Sequence, residues 1–309
     1  MPSSEGMPSQ IPKAIWVIAN PRAGGGRGSR HASVLAHALQ AAGVACRLVQ
    51  PASAAATVTT TRQAVAAGAH AVVACGGDGT VHAVVQGLAH SQVPLAILAG
   101  GSGDDIAAAL GFPLGGAEEC AAVLVAALSR ADPKPVDLGR ITTADGTTEY
   151  FIGVVSTGFD SSVNERANRM SRLGGQRYNA AILRELASFR PIDYEAVLDG
   201  ERVAGPGMLV SIGNTTSYGG GMRVCPMAVH DDGLLDVTWL GAVSTLTFLR
   251  VFPSVFKGEH VEHPAVRTFV ARRLEISAPG QMAYADGERI GPLPVSIEAE
   301  AGALRVLSC

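Results

Sequence analysis

Three glycine-rich segments of this sequence have the composition of phosphate-binding loops. They occupy residues 24–28, 76–79 and 100–103, and each contains at least three glycines. Glycine lets backbone N–H groups approach an anion closely, and a helix that begins after such a loop adds free N–H donors and a partial positive charge. None of the segments reads GxxxxGK[ST] or GxGxxG. Ordinary tight turns are therefore the alternative for each segment.

An acid lies inside the second of these segments. Asp78 stands between Gly77 and Gly79. A carboxylate beside a bound phosphate is unexpected unless it meets a cation or a hydroxyl group. The alternative is a helix cap, in which Asp78 accepts the amides of Thr80 and Val81.

The elements around the glycine segments indicate a parallel sheet. Apolar runs at 14–19, 71–75 and 95–99 precede the three segments and predict strands that are buried on both faces. Helices are predicted after them, at about 29–42, 81–88 and 106–110, with a further strand at 45–49 and a helix at about 57–67. Alternating strands and helices imply an α/β domain. The glycine segments then lie at the carboxyl ends of strands, where such domains bind ligands.

The sequence changes character after about residue 137. Short alternating runs between 150 and 285 predict a second, mostly antiparallel domain, interrupted by helix-like stretches at about 163–190 and 243–257. The last runs, 293–297 and 304–307, could close either domain. We therefore predict a first domain over 12–137 and a second domain over 138–290.

Composition limits the function classes. The chain has 309 residues, of which 47% are apolar and 17% charged, so a disordered chain is excluded. The net charge of −3 argues against nucleic acid as a partner. The five cysteines form no CxxC pair, and no signal peptide or spanning helix is predicted. These features predict a cytoplasmic protein with reduced thiols; if it meets a membrane, it does so peripherally, at the inner face.

The sequence GGDGT at 76–80 resembles the signature of the diacylglycerol kinase catalytic-domain family, which includes bacterial soluble lipid kinases and sphingosine kinases. NAD kinases and phosphofructokinases are relatives with a GGDG loop. NP at 20–21, GSGDD at 101–105 and DGLLD at 232–236 are similar to further family motifs. The resemblance implies a Rossmann-like α/β domain with an NAD kinase-like GGDGT loop and a C-terminal, mainly antiparallel β-sandwich domain. It places ATP in the cleft between them and implies that the final strand, within about 291–309, returns to the first domain.

The resemblance also assigns site residues. The nucleotide-binding set is Asn20, Pro21, Gly24, Gly25, Gly76, Gly77, Gly79, Thr80, Gly101, Ser102, Gly103 and Asp104. Position 104 departs from the family, which usually has Asn there. Because an ionised Asp only accepts hydrogen bonds, Asp104 would weaken nucleotide binding, recruit a cation or reshape the site. Asp78 is assigned to the catalytic set.

Phosphoryl transfer needs positioning, charge neutralisation and a group that accepts the hydroxyl proton. The DGE segment at 286–288 follows a predicted strand, and Asp-Gly alone is also a hairpin signal. By resemblance this segment faces the nucleotide cleft, with Asp286 as candidate general base or metal-organising acid and Glu288 beside it. Mg²⁺ that bridges the terminal phosphates is expected on chemical grounds.

A second magnesium site is implied by the resemblance at the acidic turn 229–234. Its ligands would be the Asp232 carboxylate and the carbonyl groups of Val229 and Leu234. The alternative is a solvated loop. His260 and His263 lie outside any metal-binding pattern and are predicted to be exposed loop residues.

Two stretches suggest where a lipid could bind. The segment 164–190 has six arginines and two glutamates among apolar residues, which suits an anionic membrane surface or simply an exposed helix face. The segment 246–257 holds three phenylalanines and could line an acyl-chain pocket or belong to the core.

The leading function is an ATP-dependent lipid kinase that converts diacylglycerol to phosphatidic acid at a membrane surface. A kinase of a soluble substrate such as NAD, and a non-catalytic nucleotide-binding module, remain alternatives, and a homodimer is left open.

Overall fold

The computed structural model describes residues 14–130, 132–159 and 190–309. Its N-terminal part is a parallel sheet in the order β4-β3-β1-β2. The strands are β1 (Ile15–Ala19), β2 (Cys46–Val49), β3 (Ala71–Gly76) and β4 (Leu95–Ala99). The helices are α1 (Arg27–Ala41), α2 (Ala54–Ala66), α3 (Asp78–Leu88), α4 (Asp105–Ala109) and α5 (Ala117–Arg130). Every residue of β1, β3 and β4 is buried, as expected for strands covered on both faces.

The C-terminal part is built from antiparallel strands around a separate apolar core. These are β5 (Pro133–Thr143), β6 (Thr148–Phe151), β7 (Val154–Gly158), β8 (Ile192–Leu198), β9 (Glu201–Gly213), β10 (Leu235–Gly241), β11 (Val266–Ala271), β12 (Arg273–Ser277), β13 (Met282–Ala285) and β14 (Glu288–Pro292). A helix, α6 (Thr245–Val251), and two 3₁₀ turns (Phe252–Phe256 and Glu259–Glu262) separate β10 from β11. Tyr194, Trp239 and Ile276 lie in this second core.

The final strand, β15 (Val295–Leu307), belongs to both parts. It pairs antiparallel with β12 and β5, and Val306 pairs in parallel with Leu95 of β4. The two predicted runs at 293–297 and 304–307 therefore form one strand that closes both cores. Because of β15, the hydrogen-bonded strand order continues from the first part into the second.

The predicted mixed α/β architecture with a C-terminal β-sandwich domain is confirmed. Three details differ from the sequence-based expectations. Helix α5 was not predicted, α3 begins at Asp78 rather than at 81, and β5 begins at Pro133, before the predicted change near 137. Among the described residues, no helix combines the length and apolarity that a membrane-spanning segment needs. The arginine-rich stretch 164–190 lies outside the described residues except for Arg190.

Candidate active site

The three glycine segments meet at the carboxyl ends of β1, β3 and β4 and pack backbone against backbone. A methyl group on Gly101 would collide with Cα of Gly77, and one on Gly24 would collide with the carbonyl oxygen of Gly100. The Gly100 amide also donates to the Gly76 carbonyl at 3.0 Å. Glycine is therefore required here for contact between the loops, a role that the sequence analysis did not assign to it.

A cleft of about 380 Å³ opens beside these loops. The residues of the predicted set that line it are Asn20, Gly24, Gly77, Asp78, Gly79, Thr80, Gly101, Ser102 and Glu288. Pro21, Gly25, Gly76, Gly103 and Asp104 belong to the same loops but are not part of this lining.

Sequence reasoning missed the side of the cleft formed by the segment after β2. Pro51, Ser53 and Thr57 line this side, and Arg22 of the first loop reaches it by donating to the Ala52 carbonyl at 3.1 Å. Arg22 follows the predicted NP pair directly, and a cation beside a glycine loop is a signal that could have identified it. The guanidinium gives the cleft a positive group suited to a phosphate.

Asp78 joins two helices at the floor of the cleft. Its carboxylate accepts the amides of Asp105, at 3.3 Å, and Ile106, at 3.0 Å, at the start of α4. The Thr80 and Val81 amides instead donate to the Gly77 carbonyl, so the proposed cap on them is not formed. Burial, with the neighbouring Asp105 charge, raises the pKa of Asp78 to about 6.

Asp104 closes the third glycine loop on itself. It has a left-handed backbone with φ of 58°, a conformation in which Asp and Asn are the most common residues after glycine. Its Oδ1 accepts the Gly101 amide at 2.8 Å, and burial raises the pKa of Asp104. An acid in place of the family's Asn is therefore compatible with this turn, because the contact it makes needs only an acceptor.

Asp105, which sequence reasoning left without a role, connects the two parts of the molecule. Its buried carboxylate accepts the amides of Gly220, at 2.7 Å, and Gly221, at 2.6 Å. Residues 219–221 all have positive φ, and Tyr218 and Met222 bond to each other on either side of them. We call residues 218–222 the glycine hairpin. Its own glycine run was the available signal, but nothing in the sequence paired it with Asp105.

Of the segment 286–288 that was expected to face the cleft, Glu288 lines it and Asp286 does not. The Asp286 side chain is fully enclosed, and its carboxylate accepts the amides of Ile152 and Gly153 at 3.2 and 2.8 Å. Its Oδ2 also lies 3.0 Å from Nδ1 of the buried His82. Because its side chain has no exposed surface, this carboxylate does not reach the cleft, whereas Asp78 lines it. His82 was not singled out by the sequence analysis.

Glu288 is the residue of this segment whose carboxylate faces the cleft. It begins β14, directly after the tight turn at Asp286 and Gly287, and it is exposed. Its carboxylate lies against Gly79, where a methyl group would collide with Oε1. Two carboxylates, from Asp78 on the first part and Glu288 on the second, therefore face the same space.

The acidic turn at 229–234 is held by protein contacts. Oδ1 of Asp232 accepts the Leu234 amide at 2.9 Å, while the buried Asp137 carboxylate accepts the amides of Gly233 and Gly302, each at 2.6 Å. Among the residues that the structure describes, no three His, Cys, Asp or Glu side chains cluster as metal ligands.

The turn nevertheless has donors that suit magnesium. Burial raises the pKa of Asp236 to about 6, and the charge of Asp232 adds to this, so a cation there would relieve a repulsion between neighbouring carboxylates. One carboxylate with backbone carbonyl groups is a donor set that fits Mg²⁺, which keeps several of its waters. Val229 is 46% exposed, which leaves room for such waters.

A narrow apolar cavity of about 60 Å³ lies in the second part of the molecule. Its lining includes Tyr218, Met222, Leu240, Phe248, Val251, Phe252, Val255 and His260. The stretch 246–257 thus contributes one wall through α6 and the turn after it. The prediction for His260 is wrong: this residue is buried, with Nε2 3.2 Å from the Val224 carbonyl, because the apolar wall encloses it.

Both parts of the chain match known protein families. The family described as "Diacylglycerol kinase catalytic domain" matches residues 14–141, and "YegS C-terminal NAD kinase beta sandwich-like domain" matches residues 153–308. A diacylglycerol kinase of Mycobacterium tuberculosis is 44% identical over 79% of this chain and 78% of its own length.

Solved structures share the fold. A candidate diacylglycerol kinase from Bacillus anthracis superposes with a TM-score of 0.76 at 22% identity, covering 96% of this chain and 98% of that one. An NAD kinase from Archaeoglobus fulgidus, solved in complex with ATP, superposes with a TM-score of 0.55 at 14% identity, covering 95% and 93%. With the matches to both parts of the chain, the relationship is established: the chain belongs to the diacylglycerol kinase family of lipid kinases.

Proposed function

We propose that this enzyme transfers the γ-phosphoryl group of ATP to the hydroxyl group of a membrane lipid, with diacylglycerol as acceptor and phosphatidic acid as product. One observation carries the proposal. The glycine hairpin connects the apolar cavity with a residue of the polar cleft. Asp105 holds the tip of the hairpin, and the Asp105 amide donates to Asp78 of the cleft. The two ends of the hairpin, Tyr218 and Met222, line the cavity. A substrate with a polar head and an apolar body fits this arrangement.

ATP is assigned to the cleft beside the glycine loops. The backbone of the loops that line this cleft, the start of α3 and the Arg22 guanidinium are suited to phosphate groups. Mg²⁺ bound with the nucleotide would neutralise the phosphate charge. Glu288 is the exposed carboxylate of the cleft that would contact it. The structural magnesium is assigned to Asp232, Val229 and Leu234.

The chemistry follows from the two carboxylates that reach the cleft. The acceptor hydroxyl oxygen bonds to the γ-phosphorus, the bond from this phosphorus to the β–γ bridging oxygen breaks, and ADP leaves with that electron pair. Asp78 takes the hydroxyl proton, because its pKa near 6 leaves it ionised at neutral pH and basic enough to accept. Glu288, from the opposite side, orients the hydroxyl group.

The surface near the apolar cavity supports delivery of the acceptor from a membrane. Phe248 and Phe252 face the cavity, while Leu246, Leu249 and Phe256 are 58%, 47% and 49% exposed. Arg250 and Lys257 belong to the same stretch and add positive charge. Exposed apolar side chains with flanking cations are typical of segments that rest on an anionic lipid surface.

The test measures ATP turnover by the purified protein in the presence of Mg²⁺. The acceptors are vesicles that contain diacylglycerol, phosphatidylglycerol, sphingosine or ceramide, and NAD in a separate assay. Phosphatidic acid as the principal product supports the proposal. Phosphorylation of another lipid would overturn the choice of acceptor. Robust phosphorylation of NAD without any lipid product would favour the soluble-substrate alternative, and nucleotide binding without turnover would favour a non-catalytic module.

A further inference from the structure

The buried histidine of α3 lies between two carboxylates of the second part of the molecule. His82 is 5% exposed and follows Asp78 by one helical turn. Its Nδ1 lies 3.0 Å from Oδ2 of Asp286, and its Nε2 lies 3.2 Å from Oε2 of Glu149. Glu149 belongs to β6, and Asp286 follows β13, so one side chain of the first part contacts two separate elements of the second.

The two carboxylates beside this ring favour its positively charged form. An ionised carboxylate only accepts hydrogen bonds, so each nitrogen must donate, and a ring that donates from both nitrogens is an imidazolium. Burial by itself lowers the pKa of His82, but the hydrogen bonds to Asp286 and Glu149 outweigh it and raise the pKa to about 10. His82 is thus a buried cation that bridges two anions.

Asp286, the more enclosed partner, occupies a demanding position. It has a left-handed backbone with φ of 52°, which is uncommon for a residue with a side chain. Its carboxylate is fixed by His82 and by the amides of Ile152 and Gly153. These three contacts hold the first residue of the turn that leads through Gly287 to Glu288. The same helix turn that carries His82 begins at the Gly79 backbone, against which the Glu288 carboxylate lies.

We infer that His82 is a positioning residue for phosphoryl transfer, which anchors Asp286 and thereby fixes the Glu288 carboxylate beside the first turn of α3. This inference rests on the proposed function, because it needs Glu288 to act on the acceptor. His82 itself does not line the cleft. Removing it frees the turn, and a displacement of about 1 Å in a reacting group costs on the order of 10²-fold in rate.

A double-mutant cycle tests the dependence on Glu288. His82→Asn in the wild-type background is expected to lower kcat by about 10- to 100-fold, with the KM for ATP within about twofold. In a Glu288→Gln background, the same change is expected to lower kcat by less than about threefold, because the carboxylate that His82 positions is already absent. The matched control is His90→Asn, which breaks a His–Glu pair with Glu300 (2.7 Å) at an exposed position and leaves kcat unchanged.

Equal losses from His82→Asn in the two backgrounds would overturn the inference, as would a loss that appears only in the KM for ATP. If His82→Asn does not fold, Glu149→Gln replaces it: we expect a loss in kcat of a few-fold in the wild-type background and none in the Glu288→Gln background.

A nitrogen NMR spectrum of His82 in the wild-type protein at pH 7 gives an answer that does not need turnover. Two protonated ring nitrogens support the ionic bridge, and one unprotonated nitrogen overturns it. A wild-type protein that phosphorylates no lipid, but shows the doubly protonated ring, would refute the proposed function and the role of His82 in it while leaving the bridge itself established.

Discussion

The cleft and the apolar cavity are built by opposite means. Backbone groups shape much of the cleft, because its glycine loops touch at Gly24, Gly28 and Gly101, where an added side chain would collide with the neighbouring backbone. Side chains shape the cavity, and they come from five separate segments: β9, residues 218–224 (the glycine hairpin and the two residues after it), β10, the stretch 243–260, and β11. The first construction tolerates almost no added atom, whereas the second can repack around ligands of different length. Under the proposed function, the phosphate site is therefore rigid and the acceptor site adaptable.

The largest effect is expected at the acid of the cleft. Asp78→Asn removes the proposed acceptor of the hydroxyl proton, so kcat should fall by at least about 10²-fold while the KM for the lipid stays within about threefold. Single-turnover phosphorylation at saturating ATP measures it. A rate within tenfold of the wild type would remove Asp78 from the catalytic set and weaken the distinction between a chemical cleft and a binding cavity.

The rigidity of the loops is tested by one methyl group. Gly101→Ala is expected to lower the free energy of unfolding by about 1–3 kcal/mol, because the added carbon meets the Gly77 backbone and neither loop can move aside. Urea denaturation measures the change. The matched control is Gly116→Ala, where no atom lies within 4 Å of the added carbon and φ is not positive. If both variants lose the same stability, the close packing of the loops is not what requires glycine.

The pH profile of the cleft should reflect the raised pKa of Asp78. Below about pH 6 its carboxyl group is protonated and cannot accept a proton, so kcat/KM should fall about tenfold from pH 7 to pH 5. A carboxyl group at its ordinary pKa of 3.8 would keep nearly full activity at pH 5. Initial rates with a detergent-dispersed lipid measure this. A flat profile between pH 5 and 7 would assign the proton to another group.

The smallest effect is expected in the cavity. Phe252 packs between Phe248 and Phe256, with ring centroids 5.9 and 6.1 Å away. Phe252→Ala should raise the KM for the lipid by about five- to tenfold, because it removes apolar contact from the cavity wall. The KM for ATP should stay unchanged. Leu114→Ala, at a side chain that is 54% exposed, serves as the control. Equal changes in both KM values would show that the two regions are not separate.

These two constructions also explain what the sequence could predict. The glycine loops, Asp78 and Glu288 are visible in sequence because each loop is continuous and follows a strand with a clear apolar pattern. His82 and Asp286 are 204 positions apart, and nothing in either neighbourhood indicates the other. The same limit applies to Asp105 and the glycine hairpin, 115 and 116 positions away. The cavity wall was open to two interpretations because a phenylalanine-rich helix has the same pattern in a core and beside a ligand.

Strand β15 has a consequence for the order in which the chain can fold. It pairs with β12, β5 and β4 and supplies residues to both apolar cores, yet it is made after every other described strand. During synthesis, neither part can complete its core before residues 295–307 leave the ribosome, although domains commonly fold one after the other as they emerge. The two halves of the kinase are therefore expected to mature together, and a chaperone that shields incomplete sheet edges would act on both at once.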